Sequence, residues 1–371
     1  HHTRATRTAD EWLLGAPLPT VRPVSKLPSA SGFLEPASVP LAAAGLGPSA
    51  FEQTRKIFAP YGIEVSQGSG GSGSGKHKPT MYAMGGAIGA QLARGDVSLV
   101  ATGTVSYVND SKVLAFGHPF FQFGEVYMPA VAAEIHAVVP SLAMAFKMAS
   151  PLGELGSMIQ DRQSSIVVDT RTKTELIPVR ISVKGPGGQD RFDSEVLRQR
   201  LLTPPLVGMM VANAARLYAP EITDATVTIK STLFVRGFKP LTFTDYAYSD
   251  EGAGKAIAEA RALRVLTPIL LNPFEPVTVE RVEVDVSITH RADYLEIDDV
   301  RLPGPSLPPG KTSYIEVSLH RFGGGFTTAR VPIAVPMRLA GSTVKLQISA
   351  GDTANYEVAP PRSLNDLVEI L

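Results

Sequence analysis

Residues 114–125, LAFGHPFFQFGE, set His118 between Gly117 and Pro119 at the end of an apolar run. Imidazole changes charge near neutrality, which makes it the usual base for taking a proton from a serine hydroxyl. That use needs a stiff backbone under the ring. Gly117 allows a sharp turn, and Pro119 fixes its own φ and biases His118 toward extended backbone. The same placement also suits a ring that closes a turn against a backbone carbonyl, and spacing alone leaves both readings open. Two carboxylates are candidates to orient the ring: Asp161, in Asp161-Arg162, and Asp169, in Asp169-Thr170. Each equally fits a structural role at a turn or strand end. Ser164 and Ser165 lack the glycine-rich elbow and amide nest that a nucleophile needs. Glu134 and His136 fall on one strand face, but no third metal ligand stands at a readable spacing, so no metal is expected. The FGGGF run at 322–326 lacks the strand-then-helix setting of a phosphate loop, and no cofactor is expected.

The elements around these residues read as mainly β with short helices. From Met81 the chain turns apolar and β-branched, in DVSLVATGTVSYV, KVLAFG, EVYMPAVAAEIHAVV, SSIVVDT and ELIPVRISVKG, with Asn109-Asp110 at a hairpin turn. Residues 193–219 have helical spacing and read as two short helices broken at Pro204-Pro205. From Val277 onward, strands about 10 residues apart suggest a separate C-terminal β-sandwich. In VTVERVEVDVSI, alternation puts Val282, Val284, Val286 and Ile288 on the core side. The expected organisation is an N-terminal arm and flexible linker over 1–80, a β unit over 81–192, a mixed helical and strand region over 193–276, and the sandwich over 277–371. A short helix is expected in SAFEQTRKIFAPYG, and another starting at Ser363 with Asp366 in the capping-box position. The Gly/Ser tract at 68–75 reads as a flexible bridge of the kind that replaces a deleted loop.

Bulk properties narrow the function classes. Of 371 residues, 35 are Lys or Arg and 35 are Asp or Glu, so no net charge draws the chain to nucleic acid. The absence of cysteine excludes a thiol nucleophile and zinc-thiolate sites. It also suits an extracytoplasmic setting, periplasmic, cell-surface or secreted. Charged residues and prolines interrupt the most apolar stretch, so no transmembrane segment is expected.

The run from Lys112 to Val167, KVLAFGHPFFQFGEVYMPAVAAEIHAVVPSLAMAFKMASPLGELGSMIQDRQSSIV, together with RGDVSLVATGTVSYV before it, resembles the SpoIVB-like serine peptidases, and most closely their larger Gram-negative relatives. The likeness covers residues 85–185 and extends more loosely through PVRISV, LLTPPL and LLNPF to RSLNDL. It implies a chymotrypsin-like β-barrel, with His118 as general base toward the first serine of a Met-Ser-Gly-Ser-Pro motif. That motif does not occur in this sequence. It is expected upstream of the histidine, with this chain beginning just after it. The resemblance thus implies a truncated, inactive piece of an extracytoplasmic serine endopeptidase acting on a protein or peptide. The alternative is a non-catalytic binding or scaffold protein on the same fold.

Overall fold

The computed structural model describes residues 39–68, 80–139, 146–349 and 359–371. Residues 1–38 of the expected arm and most of the Gly/Ser bridge lie outside the described residues, whereas residues 39–67, also expected as arm and linker, form two strands and a helix.

Strand outweighs helix throughout. The strands, in chain order, are β1 (Val39–Ala44), β2 (Ile63–Gln67), β3 (Ala87–Gly95), β4 (Ser98–Asn109), β5 (Lys112–Ala115), β6 (Gly124–Val139), β7 (Phe146–Asp161), β8 (Ile166–Asp169), β9 (Ile177–Gly185), β10 (Gly188–Val196), β11 (Ala225–Val235), β12 (Leu241–Ser249), β13 (Val279–Thr289), β14 (Leu295–Arg301), β15 (Thr312–Arg321) and β16 (Phe326–Ala334). Thirteen of them join one sheet. Within it, β3 pairs with β6, β6 with β7, β7 with β8, β8 with β5, β5 with β4, and β4 with β3 again, all antiparallel. These pairings close a six-strand ring. Each of its strands supplies a side chain at most 1% exposed: Ile88, Leu99, Val113, Met128, Met158 and Val168. Burying each stabilises the fold by roughly 1.5–3 kcal/mol. The β4–β5 turn at Asp110 has φ of +50°, the left-handed conformation that Asp tolerates.

Helix α1 (Pro48–Phe58) leads into a 3₁₀ turn that stops at Gly62, whose φ is +69°. Helix α2 (Thr203–Tyr218) is one helix, not two. Pro204 and Pro205 sit in its first turn, where a missing N–H costs no bond. Residues 193–196, expected to begin a helical region, instead finish strand β10 (Gly188–Val196), because pairing with β9 overrides their helical spacing. Helix α2 is apolar around most of its girth and is accordingly buried. Its buried Asn213 donates from Nδ2 to the Gly45 carbonyl at 2.8 Å and accepts from the Gly47 N–H at 2.9 Å, tying α2 to the turn that launches α1. Three short helices follow: α3 (Ala253–Glu259), α4 (Leu266–Leu270) and α5 (Leu364–Ile370). At α5 the Ser363 hydroxyl accepts from the Asp366 N–H at 3.1 Å, while Asp366 accepts from the Arg362 N–H at 2.9 Å.

The C-terminal region corrects the expected sandwich. Strand β13 does not leave the large sheet. It lies between β9, to which it is parallel, and β11. Only β14, β15 and β16 form a second sheet. Residues 343–349, expected as a strand, are irregular. The face assignment of β13 holds at Val282, Val284, Val286 and Ile288, all buried. Val279 is buried as well, because the register shifts by one opposite Phe234/Val235.

Candidate functional site

His118 lies in the loop between β5 and β6. KVLA alternates, with Val113 and Ala115 buried and Leu114 37% exposed, so β5 is covered on one face only. The backbone then enters the left-handed region at Phe116 (φ +75°) and Gly117 (φ +72°), and again at Gln122 (φ +60°) and Gly124 (φ +76°). Glycine does this freely. A phenylalanine there costs on the order of 1–3 kcal/mol and persists only where its surroundings enforce it. Two contacts do so. The Phe116 N–H donates to the Thr104 carbonyl at 3.0 Å, and its ring lies over Gly103, where a Cβ would come within 2.2 Å of the ring.

Asp161, at the end of β7 and opposite Gly124, holds the rest of the loop. Its carboxylate is fully buried. Oδ1 accepts from the Phe120 N–H at 2.8 Å, and Oδ2 accepts from the Phe121 N–H at 2.6 Å and the Phe123 N–H at 3.4 Å. Three converging amides give a buried carboxylate the donors it requires. The side chains of these residues form an aromatic wedge. Phe121 stacks on Phe123 at 4.8 Å and meets Tyr61 edge-on at 5.3 Å and Phe58 of α1 at 6.2 Å. The loop is therefore fixed from below by Asp161 and from the side by α1, which Asn213 secures.

His118 rides exposed on this platform, its ring 5.6 Å from that of Phe116. Its hydrogen bond runs from Nδ1 to the Pro119 carbonyl at 2.8 Å. A carbonyl only accepts, so Nδ1 carries the proton, and in the neutral ring Nε2 presents a bare lone pair. Nε2 has no partner among the described residues. His118 lines none of the clefts of about 640, 580 and 410 Å³.

The two candidate orienting acids do not meet the ring. Asp161 is occupied by the loop amides, and the Nδ1 that an acid would orient is taken by Pro119. Asp169 closes the turn after β8. It accepts from Lys112 Nζ at 2.8 Å, the Arg171 N–H at 3.0 Å and the Thr172 hydroxyl at 3.2 Å. The Lys112 ammonium and these donors hold its carboxyl down at about 2. Ser164 and Ser165 lie in the β7–β8 turn, closed by the Arg162 N–H on the Ser165 carbonyl at 3.0 Å. His136 pairs not with a metal set but with a serine: its Nε2 lies 2.8 Å from the hydroxyl of Ser150, which is 5% exposed on the neighbouring strand. That cross-strand contact was invisible in the sequence because it depends on the β6–β7 register. No group of three metal-capable side chains forms among the described residues. No helix of the described residues is long and apolar enough to cross a membrane.

The loop-anchoring role of Asp161 was likewise not read from the sequence. No local signal marks it, because Asp161 stands about forty residues from HPFFQF and meets its amides only through the β6–β7 pairing. No family model, curated protein or solved structure matches the chain.

Proposed function

We propose that this chain is the base-bearing part of an extracytoplasmic serine endopeptidase of the SpoIVB-like type, with His118 Nε2 as the general base. The observation that carries this reading is the ring itself. Its Nδ1 proton is fixed on the Pro119 carbonyl, its Nε2 has no partner among the described residues, and the loop that carries it is held by a buried carboxylate. A serine hydroxyl brought to Nε2 would lose its proton to the ring as it attacked a peptide carbonyl. In place of an orienting carboxylate, the Pro119 carbonyl sets the tautomer. The serine would come from a Met-Ser-Gly-Ser-Pro segment. A second reading, a non-catalytic binding protein, is favoured by one fact: no described hydroxyl bonds to His118.

A fluorophosphonate probe separates them. The 371-residue chain alone is expected to stay unlabelled and to leave casein intact. Joined to a polypeptide carrying Met-Ser-Gly-Ser-Pro, it is expected to be labelled on that serine. His118→Ala should slow labelling about 10²–10⁴-fold, the usual scale for loss of a general base. Equal labelling with and without the imidazole would refute the catalytic reading.

A further inference from the structure

A second site lies on the far side of the ring from His118. Seven residues of β7 separate Asp161 from Glu154, roughly 20 Å at strand rise. There a cleft of about 640 Å³, within the range of ligand sites, opens between β7 and β10. Two unpaired strand edges belong to the strands that line it. From Ala149 to Glu154, β7 has β6 on one side only, since β8 joins it from Ser157 onward. From Gln189 to Phe192, β10 has only β9, since β3 reaches it at Ser194 and the Tyr218 hydroxyl takes the Gly188 carbonyl at 2.8 Å. Asp96 closes that second edge at Asp193, where its carboxylate accepts the N–H at 2.6 Å and its own N–H donates to the carbonyl at 3.0 Å. Pro151, on the β7 edge, is a residue suited to a strand side without a partner.

The lining mixes polar and apolar surface, and its charges are matched. Arg94 is paired with Glu195 and with Glu154, Arg191 with Asp193 at 2.8 Å, and Arg180 with Glu283 at 3.3 Å. A lining neutralised in this way attracts neither an anion nor a cation by net charge. Gln91 is the exception to the pairing. Its side chain lines the cleft, is 94% buried by its 6% exposure, and makes no hydrogen bond to any described residue, yet its polar atoms are not sealed from water. An amide carries one carbonyl and one N–H₂ side by side, the complement of a peptide group. Open edges, balanced charge and a waiting amide all match the same class of ligand, a neutral, dipolar main chain.

We propose that this cleft binds an extended polypeptide segment as an added strand, with the Gln91 amide bonded to one of its peptide groups. The inference stands on the cleft and not on His118, so it holds for a peptidase or for a binding protein. The test uses fluorescein-labelled β-casein, an unfolded polypeptide, with anisotropy as readout. Casein is expected to bind, and binding should protect amides of residues 152–155 and 189–192 from deuterium exchange. A ten-residue Thr-Val peptide should compete, whereas decaproline, which has no N–H to donate, should not. Gln91→Leu should weaken binding about tenfold, the scale of one lost buried hydrogen-bond pair, and His118→Ala should leave it unchanged. No binding, protection confined to other segments, or equal competition by decaproline would overturn the proposal. If Gln91→Leu fails to fold, the exchange map of the unaltered protein still decides.

Discussion

At the scale of single residues, the division of labour around His118 is between a ring that is exposed and a carboxylate that is not. Asp161 makes no bond to the imidazole but supplies acceptors to three amides of the loop that carries it. Asp161→Asn keeps the shape and replaces one acceptor oxygen by a donor, which then faces an amide N–H. Leaving buried donors unmatched costs roughly 1–3 kcal/mol each, so urea unfolding should show a loss of about 3 kcal/mol. Deuterium exchange should locate the loosening at Phe120 and Phe121. A variant as stable as the parent would show that the amides find other partners. Asp169 behaves differently because Lys112 holds it charged. Its carboxyl titrates at about 2 against an ordinary 3.8. The folded protein keeps it ionised where the unfolded chain would protonate it. That stabilisation is complete above about pH 4 and fades as the pH falls toward 2. In Lys112→Met, carboxyl NMR should show the Asp169 midpoint rising toward 3.8, and an unmoved midpoint would assign the shift to the turn amides instead.

At the scale of elements, the loop depends on a neighbour that carries no side chain. Gly103→Ala would drive a methyl into the Phe116 ring. Because the obstacle is a packed ring under a strained backbone, the change should cost about 1–3 kcal/mol. It should also alter the near-ultraviolet aromatic signal of the wedge. An unchanged melting temperature and spectrum would mean that Phe116 relaxes freely. Much of this level was legible in the sequence. The strands from Met81 onward, the turn at Asp110, the capping pair Ser363 and Asp366, and the buried face of Val282 to Ile288 all follow from local pattern. What was not legible depended on pairing across long distances. Residues 193–196 have helical spacing but are captured by β9. Val39–Ala44 reads as arm yet pairs with β2 and β4. Alternation marks which face of VTVERVEVDVSI is apolar, but it cannot say against which sheet that face will lie. The same limit hid the Ser150–His136 contact and left Asp161 as a candidate partner for the ring, when only the folded loop reveals what its oxygens accept.

At the scale of the whole molecule, β13 makes the C-terminal half and the six-strand ring parts of one sheet. Val284→Asp places a charge opposite Ile181 and Ser231, at a position 1% exposed. An unpaired charge there should destabilise the protein by several kcal/mol. Since β13 joins β9 to β11, calorimetry should show the main unfolding transition lowered. Loss of a separate C-terminal transition with the main one unmoved would restore the independent sandwich.

The position of β13 also matters while the chain is being made. Val282 faces Val179, about a hundred residues earlier in the chain, and β9 and β11 remain open edges until that strand arrives to fill the gap between them. At synthesis rates of roughly 5–20 residues per second, the β9 edge leaves the ribosome about 5–20 s before its partner does. During that interval the nascent chain exposes pairing-competent edges that any neighbouring extended chain can occupy. A chain released before residue 289 would carry those edges permanently. The last strand of the large sheet is therefore what separates a completed molecule from a self-adhesive intermediate, and stalled or shortened translation products should be found in aggregates rather than in solution.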